Sequence, residues 1–131
     1  MIALDTNVLV RFLVEDDAVQ SRAATAVITR AGRADEPLFV SDIVLCEVVW
    51  VLSASYGAAK SEIVAAIRKL LHARQLAFQA SDVLVRALEA YAAGRGDFAD
   101  YLVREDARAA GCDAVLTFDK ALLKESGFRR P

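Results

Sequence analysis

The residues of this chain best suited to chemistry are carboxylates: Asp5, Glu47, Asp97, Asp100 and Asp119. Asp5 directly follows the apolar run Ile2-Ala3-Leu4, and Asp119 stands two residues beyond Thr117, at the close of Ala114-Val115-Leu116-Thr117. Glu47 is the one charged residue between Ile43 and Leu52, and its neighbours at helical spacing are Ile43, Val44, Trp50 and Val51. A lone carboxylate on such a surface bears a desolvation cost or takes up a proton unless something positive holds it. Either a partner Arg or Lys or a dry-walled cleft is therefore expected around it. Asp97 and Asp100 share one face at the start of a helix. Taken singly, Asp5, Asp97 and Asp119 also read as helix caps or loop residues. Gathered into one cleft, the group would repel itself without a counter-ion. Oxygen ligands with no His or Cys select a hard cation, Mg²⁺ or Mn²⁺, suited to activating water against a phosphodiester.

What must position these acids is an alternation of strand-like and helix-like pieces. Ile2-Ala3-Leu4 leads into a helix marked by Val8, Leu9, Phe12 and Leu13, and Asp16-Asp17 caps a helix from Ala18 to Ala31 closed by Gly32. Leu38-Phe39-Val40 reads as a strand, and Ser41 as the cap of a helix from Asp42 to Ser55. Ser61 opens a helix to Ala73. Leu76 to Gln79 is a strand, Ser81 caps a helix that stops at Gly94, and Phe98 to Ala110 is a helix stopped by Gly111. Ala114 to Thr117 is the clearest strand; Asp119 caps a short helix ended by Gly127, and Phe128-Arg129 adds an edge strand. Uniformly apolar strands alternating with helices predict a parallel sheet covered on both faces. The expected fold is α/β, a three-layer α/β/α sandwich with a central, mostly parallel sheet of four to five strands. Residues 1–131 are expected to form a single domain. Open parallel sheets bind ligands at the carboxyl ends of their strands, which is where Asp5 and Asp119 fall.

Apolar residues make up 56% of the sequence and charged residues 26%, which excludes a disordered chain. Sixteen basic against 18 acidic residues exclude a polybasic coat for nucleic acid. Setting the five acids aside leaves 13 acidic and 16 basic residues, mildly attractive to a phosphate backbone. Arg11, Arg95, Arg104, Arg108 and Lys120 are the candidates for an RNA-facing rim; each also reads as ordinary surface charge. Cys46 and Cys112 lie in apolar stretches and read as reduced core thiols of a cytoplasmic protein, and a single histidine, His72, leaves a structural zinc site without ligands. No apolar run reaches the ~18 residues of a membrane span, and the opening residues lack a signal-peptide layout.

The opening Ile2-Ala3-Leu4-Asp5-Thr6-Asn7, the Glu47 helix, Asp97-Phe98-Ala99-Asp100 and the close from Gly111 to Asp119 together resemble a PIN-domain ribonuclease over nearly the whole length. More narrowly, they resemble the VapC toxins of VapBC toxin–antitoxin pairs. The resemblance implies that Asp5, Glu47, Asp100 and Asp119 bind Mg²⁺ or Mn²⁺, with Asp5 and Asp100 the principal ligands. It implies that Asp97 is an auxiliary acid, less uniform in the family, and that Thr6 and Asn7 orient the first carboxylate and nearby water. It further implies endoribonuclease cleavage of tRNA or ribosomal RNA, a small VapB-type antitoxin whose tail covers the acidic cleft, and a homodimer. Two other classes compete. A phosphohydrolase of the haloacid-dehalogenase type would phosphorylate Asp5, but it usually carries a second aspartate where this chain has Asn7, and it needs a lysine such as Lys120 or Lys124. A non-catalytic acidic interaction module would have no use for Glu47 among apolar neighbours.

Overall fold

A computed structural model describes residues 1–131, and the chain divides into two compact units, Met1–Gln79 and Ala80–Pro131. The first unit begins with β1 (Ile2–Ala3), α1 (Thr6–Leu13), α2 (Ala18–Ala34) and β2 (Leu38–Val40), followed by α3 (Asp42–Ala54), α4 (Lys60–His72) and β3 (Leu76–Phe78). The strands form a parallel sheet in the order β1-β2-β3, with Ile2 opposite Leu38 and Leu38 opposite Leu76. Leu9, Ile28, Val40, Leu45, Ile63 and Ile67 are almost wholly removed from water, and burial of such side chains is worth about 1.5–3 kcal/mol each. These helices therefore owe their stability to the core they cover.

Sequence and structure differ at the end of α2. The helix runs past Gly32 to Ala34 and closes on Asp35, whose N–H still reaches the Ala31 carbonyl and whose left-handed conformation (φ 54°) brings the Glu36 N–H to the same oxygen at 3.1 Å. A glycine inside a helix costs only about 1 kcal/mol, so Gly32 does not by itself end α2. At the start of α2, the Tyr56 hydroxyl donates to Asp16 Oδ2 at 2.8 Å, and Arg11 donates to Asp16 Oδ1 at 2.9 Å. The Tyr56 hydrogen bond first, then the Arg11 charge, hold the Asp16 carboxyl below its ordinary value. A carboxylate with a depressed folded pKa stabilises the fold above its unfolded value, about 3.9, and that contribution fades as pH falls through the folded value. Asp16→Asn is accordingly expected to flatten the acid limb of stability against pH below about pH 4. The effect should be small, because both side chains of the ion pair are solvent-screened. Urea unfolding across the acid range checks it, and an unchanged limb would remove Asp16 from the account.

The second unit comprises α5 (Ser81–Ala93), α6 (Phe98–Ala109), β4 (Val115–Leu116), a 3-10 turn (Leu122–Lys124) and β5 (Phe128–Arg129). Tyr91 and Phe98 meet edge to face with ring centroids 6.1 Å apart, fastening α5 to α6, and Tyr101 and Leu84 complete a buried seam. β4 and β5 pair in parallel, Val115 opposite Phe128. The expected α/β class with parallel strands is present. Its five strands, however, form one three-stranded and one two-stranded sheet instead of a single central sheet. The stretch Ala114–Thr117 contributes only two ladder residues, and the helix expected after Asp119 is the short 3-10 turn. Cys112 is exposed and Cys46 half-buried, so neither is the core thiol expected. No helix is long and apolar enough to cross a membrane.

Candidate functional site

In the first unit the ladder continues one residue beyond β1, where Leu4 N–H donates to the Phe39 carbonyl at 2.9 Å. The chain then turns at Asp5, which is extended (φ −85°, ψ 164°) and is the N-cap of α1, its Oδ1 accepting from the Thr6 N–H at 2.8 Å. Thr6 is buried, and its hydroxyl donates to Glu47 Oε2 at 2.5 Å, across 41 positions of sequence. One residue thus fixes one oxygen of each of two carboxylates. The remaining oxygens, Asp5 Oδ2 and Glu47 Oε1, accept no hydrogen bond within the chain. Asn7, read beside Thr6 as an orienting group, is exposed and lines a groove of about 340 Å³ with Val8, Arg11 and residues of α2.

Glu47 departs from expectation. It is exposed, and so are its helical neighbours Ile43 (72%) and Trp50 (67%). The buried face of α3 is Leu45, Val48, Val49 and Leu52. The carboxylate is therefore hydrated on an outward face, with neither a dry wall nor an Arg or Lys partner, and the Thr6 hydroxyl is what holds it.

In the second unit Asp97 is the N-cap of α6, and its N–H donates to Asp100 Oδ2 at 2.8 Å. The preceding loop is held from below. Gly96 N–H donates to the Tyr101 hydroxyl (2.9 Å), which in turn donates to Glu125 Oε1 (2.7 Å), and Arg95 N–H reaches the same oxygen at 3.4 Å. Burial, then the Glu125 acceptor, raises the Tyr101 hydroxyl above its ordinary pKa, so it remains a donor. A Cβ added at Gly94 would overlap the Tyr101 hydroxyl and crowd Glu125, so only glycine admits this approach. Asp119 is exposed, and its Oδ1 caps the 3-10 turn by accepting from Ala121 N–H (2.9 Å) and Leu122 N–H (3.2 Å). Tyr101 and Glu125 were not singled out in the sequence, where one falls in the helix from Phe98 to Ala110 and the other in the short helix expected between Asp119 and Gly127.

The structure thus joins Asp5, Thr6 and Glu47 in one unit, and Asp97 with Asp100 in the other. No group of three or more His, Cys, Asp or Glu side chains is close enough to hold a metal ion. The donor chemistry nonetheless fits a hard cation. The five acids form no ion pair, whereas Asp16, Asp82 and Glu105 all do. Four of the five are exposed and Asp100 is half-buried, so the set is hydrated oxygen with its charge uncompensated.

The cations expected at an RNA rim divide. Arg11 is engaged by Gln20, Asp16 and Tyr56. Arg104 is buried on Glu105 and the Ser126 carbonyl, and Arg108 also donates to Glu105. Arg95 and Lys120 are exposed and free of ion pairs. Among known families, the PIN domain model matches residues 2–127, a span that includes all five acids. No curated protein matches the chain.

Proposed function

On the premise that the chain belongs to the PIN-domain family, whose members are generally metal-dependent nucleases, we propose that it is an endoribonuclease dependent on Mg²⁺ or Mn²⁺. We take it to be the VapC-type toxin of a toxin–antitoxin pair, acting on structured RNA such as tRNA or ribosomal RNA in the cytoplasm. The observation that carries the reading is the Asp5–Thr6–Glu47 arrangement: two unpaired carboxylates, each fixed at one oxygen by the same buried threonine. Asp5 and Asp100 would hold the cation, with Glu47 and Asp119 completing the set and Asp97 supporting Asp100. When bound, such an ion makes a water nucleophilic near neutral pH and neutralises the departing oxygen. The chain's own residues supply orientation. Thr6 holds Glu47 Oε2 and Asp5 Oδ1 and leaves their other oxygens open, and the Asp97 N–H fixes Asp100 through its Oδ2. A small VapB-type antitoxin covering the acids, and a homodimer, belong to the same proposal.

The experiment is cleavage of tRNA and ribosomal RNA by the purified chain, with EDTA and with Mg²⁺ or Mn²⁺ restored. Activity lost to EDTA and regained with either ion is expected. Binding without cutting would favour an interaction module, and a phosphoryl group trapped on Asp5 would favour the phosphohydrolase. Thr6→Val, which keeps the shape and deletes the donor, should lower kcat about tenfold to hundredfold with little change in KM, since a hydrogen bond to a charged group is worth about 1.5–3 kcal/mol. Thr6→Ser should recover most of the loss. A kcat for Thr6→Val equal to that of the wild type would leave Glu47 unassisted by Thr6.

A further inference from the structure

A cavity of about 530 Å³ in the second unit adjoins the loop before α6, lined by Arg95, Lys120, Lys124 and Glu125 together with Gly94 and Ala121. Its three cations are exposed, and none makes an ion pair. The one acid, Glu125, accepts through Oε1 from the Tyr101 hydroxyl and the Arg95 N–H, while its Oε2 is buried without a hydrogen-bond partner, so cations still outnumber acids in the lining. The same hydrogen bonds fix the backbone from which Arg95 projects. Arg95 stands two residues before Asp97, and Lys120 directly follows Asp119, so the pocket borders both acids in sequence.

We propose that this cavity is a subsite for one nucleotide of an RNA strand, next to the bond that is cut, with its phosphate held by Arg95, Lys120 and Lys124. The proposal rests on the nuclease reading. Three cations against one carboxylate around a concavity leave a positive excess that calls for an anion. The volume falls within the range of small-molecule sites and exceeds what a bare phosphate fills, leaving room for the sugar and base. The small walls at Gly94 and Ala121 leave the base unobstructed and supply no base-reading side chain, so the subsite holds any nucleotide. Lys124, on the 3-10 turn that Asp119 caps, was named in the sequence only as a lysine of the phosphohydrolase reading and not as part of the RNA rim.

The test measures binding of a fluorescent single-stranded RNA in EDTA, which withholds the ion that cleavage needs, over a series of KCl concentrations. It compares wild type with Arg95→Ala/Lys120→Ala/Lys124→Ala. As a charge-matched control, Arg68→Ala/Arg74→Ala/Arg130→Ala removes three exposed arginines that do not line this cavity. The cavity variant is expected to bind about tenfold more weakly, and the slope of log K against log salt to shrink by ~0.7 for each phosphate no longer neutralised. The control should stay within about twofold of wild type. Equal losses in the two variants would reduce the effect to net charge and overturn the subsite, as would an unchanged cavity variant. A wild type that binds no RNA in EDTA but cuts RNA with Mg²⁺ would overturn the subsite alone, and one that does neither would overturn the nuclease reading and the subsite with it.

Discussion

Asp5→Asn and Asp100→Asn are each expected to reduce metal-dependent RNA cleavage by about a thousandfold or more, equivalent to ~4 kcal/mol of transition-state stabilisation, while the fold survives. The survival follows from local geometry. Asp5 stabilises α1 through one Oδ1 bond from the Thr6 N–H, and asparagine caps helices as well as aspartate does. Asp100 accepts from the Asp97 N–H through Oδ2, a bond the asparagine oxygen can also accept. Neither acid forms an ion pair whose loss would strand a cation. Melting temperatures should therefore remain within about 4 °C of wild type. What the substitutions remove is negative charge at an oxygen the fold leaves open, and a neutral amide is a far poorer ligand for a hard divalent ion. Calorimetric titration with Mn²⁺ should show the corresponding loss of binding. Variants that cut RNA at the wild-type rate would exclude these acids from catalysis. Variants that lose activity together with their fold would make the acids structural.

How much could be read in advance depends on the range of the physics involved. Leu38–Val40 and the helix after it were legible because a short apolar run flanked by Pro37 and Ser41 is a local signal, and Ser41 caps α3 as its type suggests. Thr6 and Glu47 could each be named, but not the hydrogen bond between them, which joins residues 41 positions apart. The exposure of Glu47 was illegible for a different reason. α3 is apolar nearly all round, so periodicity does not say which face turns inward, and the face bearing Ile43 and Trp50 turns out. The same limit affected the arginines of α6. By spacing, Arg104 and Arg108 continue the face of Asp97 and Asp100, yet both are drawn to Glu105, an acid no local pattern marks as buried. The two-stranded sheet is a product of tertiary pairing, since strands of two residues carry almost no pattern of their own.

Glu105 is where the largest change in stability is expected. Its side chain is 3% exposed, and Oε2 accepts from Arg104 Nε at 2.9 Å and Arg108 Nη1 at 3.0 Å, while Arg86 Nε lies 3.4 Å from Oε1. Arg104 is the least exposed of the three arginines. Its guanidinium lies 5.2 Å from the Tyr101 ring centroid and 5.7 Å from that of Phe128, and it donates to the Ser126 carbonyl. Glu105→Ala leaves that cation buried without its counter-charge, and breaking a buried pair from one side costs about 3–5 kcal/mol. Asp82→Ala, which breaks the solvent-exposed pair to Arg86, should cost less than about 1 kcal/mol. Replacing both partners, Glu105→Leu with Arg104→Met, should recover much of the loss, because an apolar pair has no charge to strand. Urea unfolding of these variants decides the matter, and a Glu105→Ala cost no larger than that of Asp82→Ala would mean the cluster is hydrated. The cluster also bears on function. Gly127, in a left-handed conformation (φ +86°), has no room for a Cβ because the Arg104 side chain lies against it. Arg104 so supports the turn into β5, β5 pairs with β4, and β4 leads to Thr117 and Asp119. Glu105→Ala should therefore lower RNA cleavage as well as stability, through a residue that touches neither metal nor substrate, and the double replacement should restore both together.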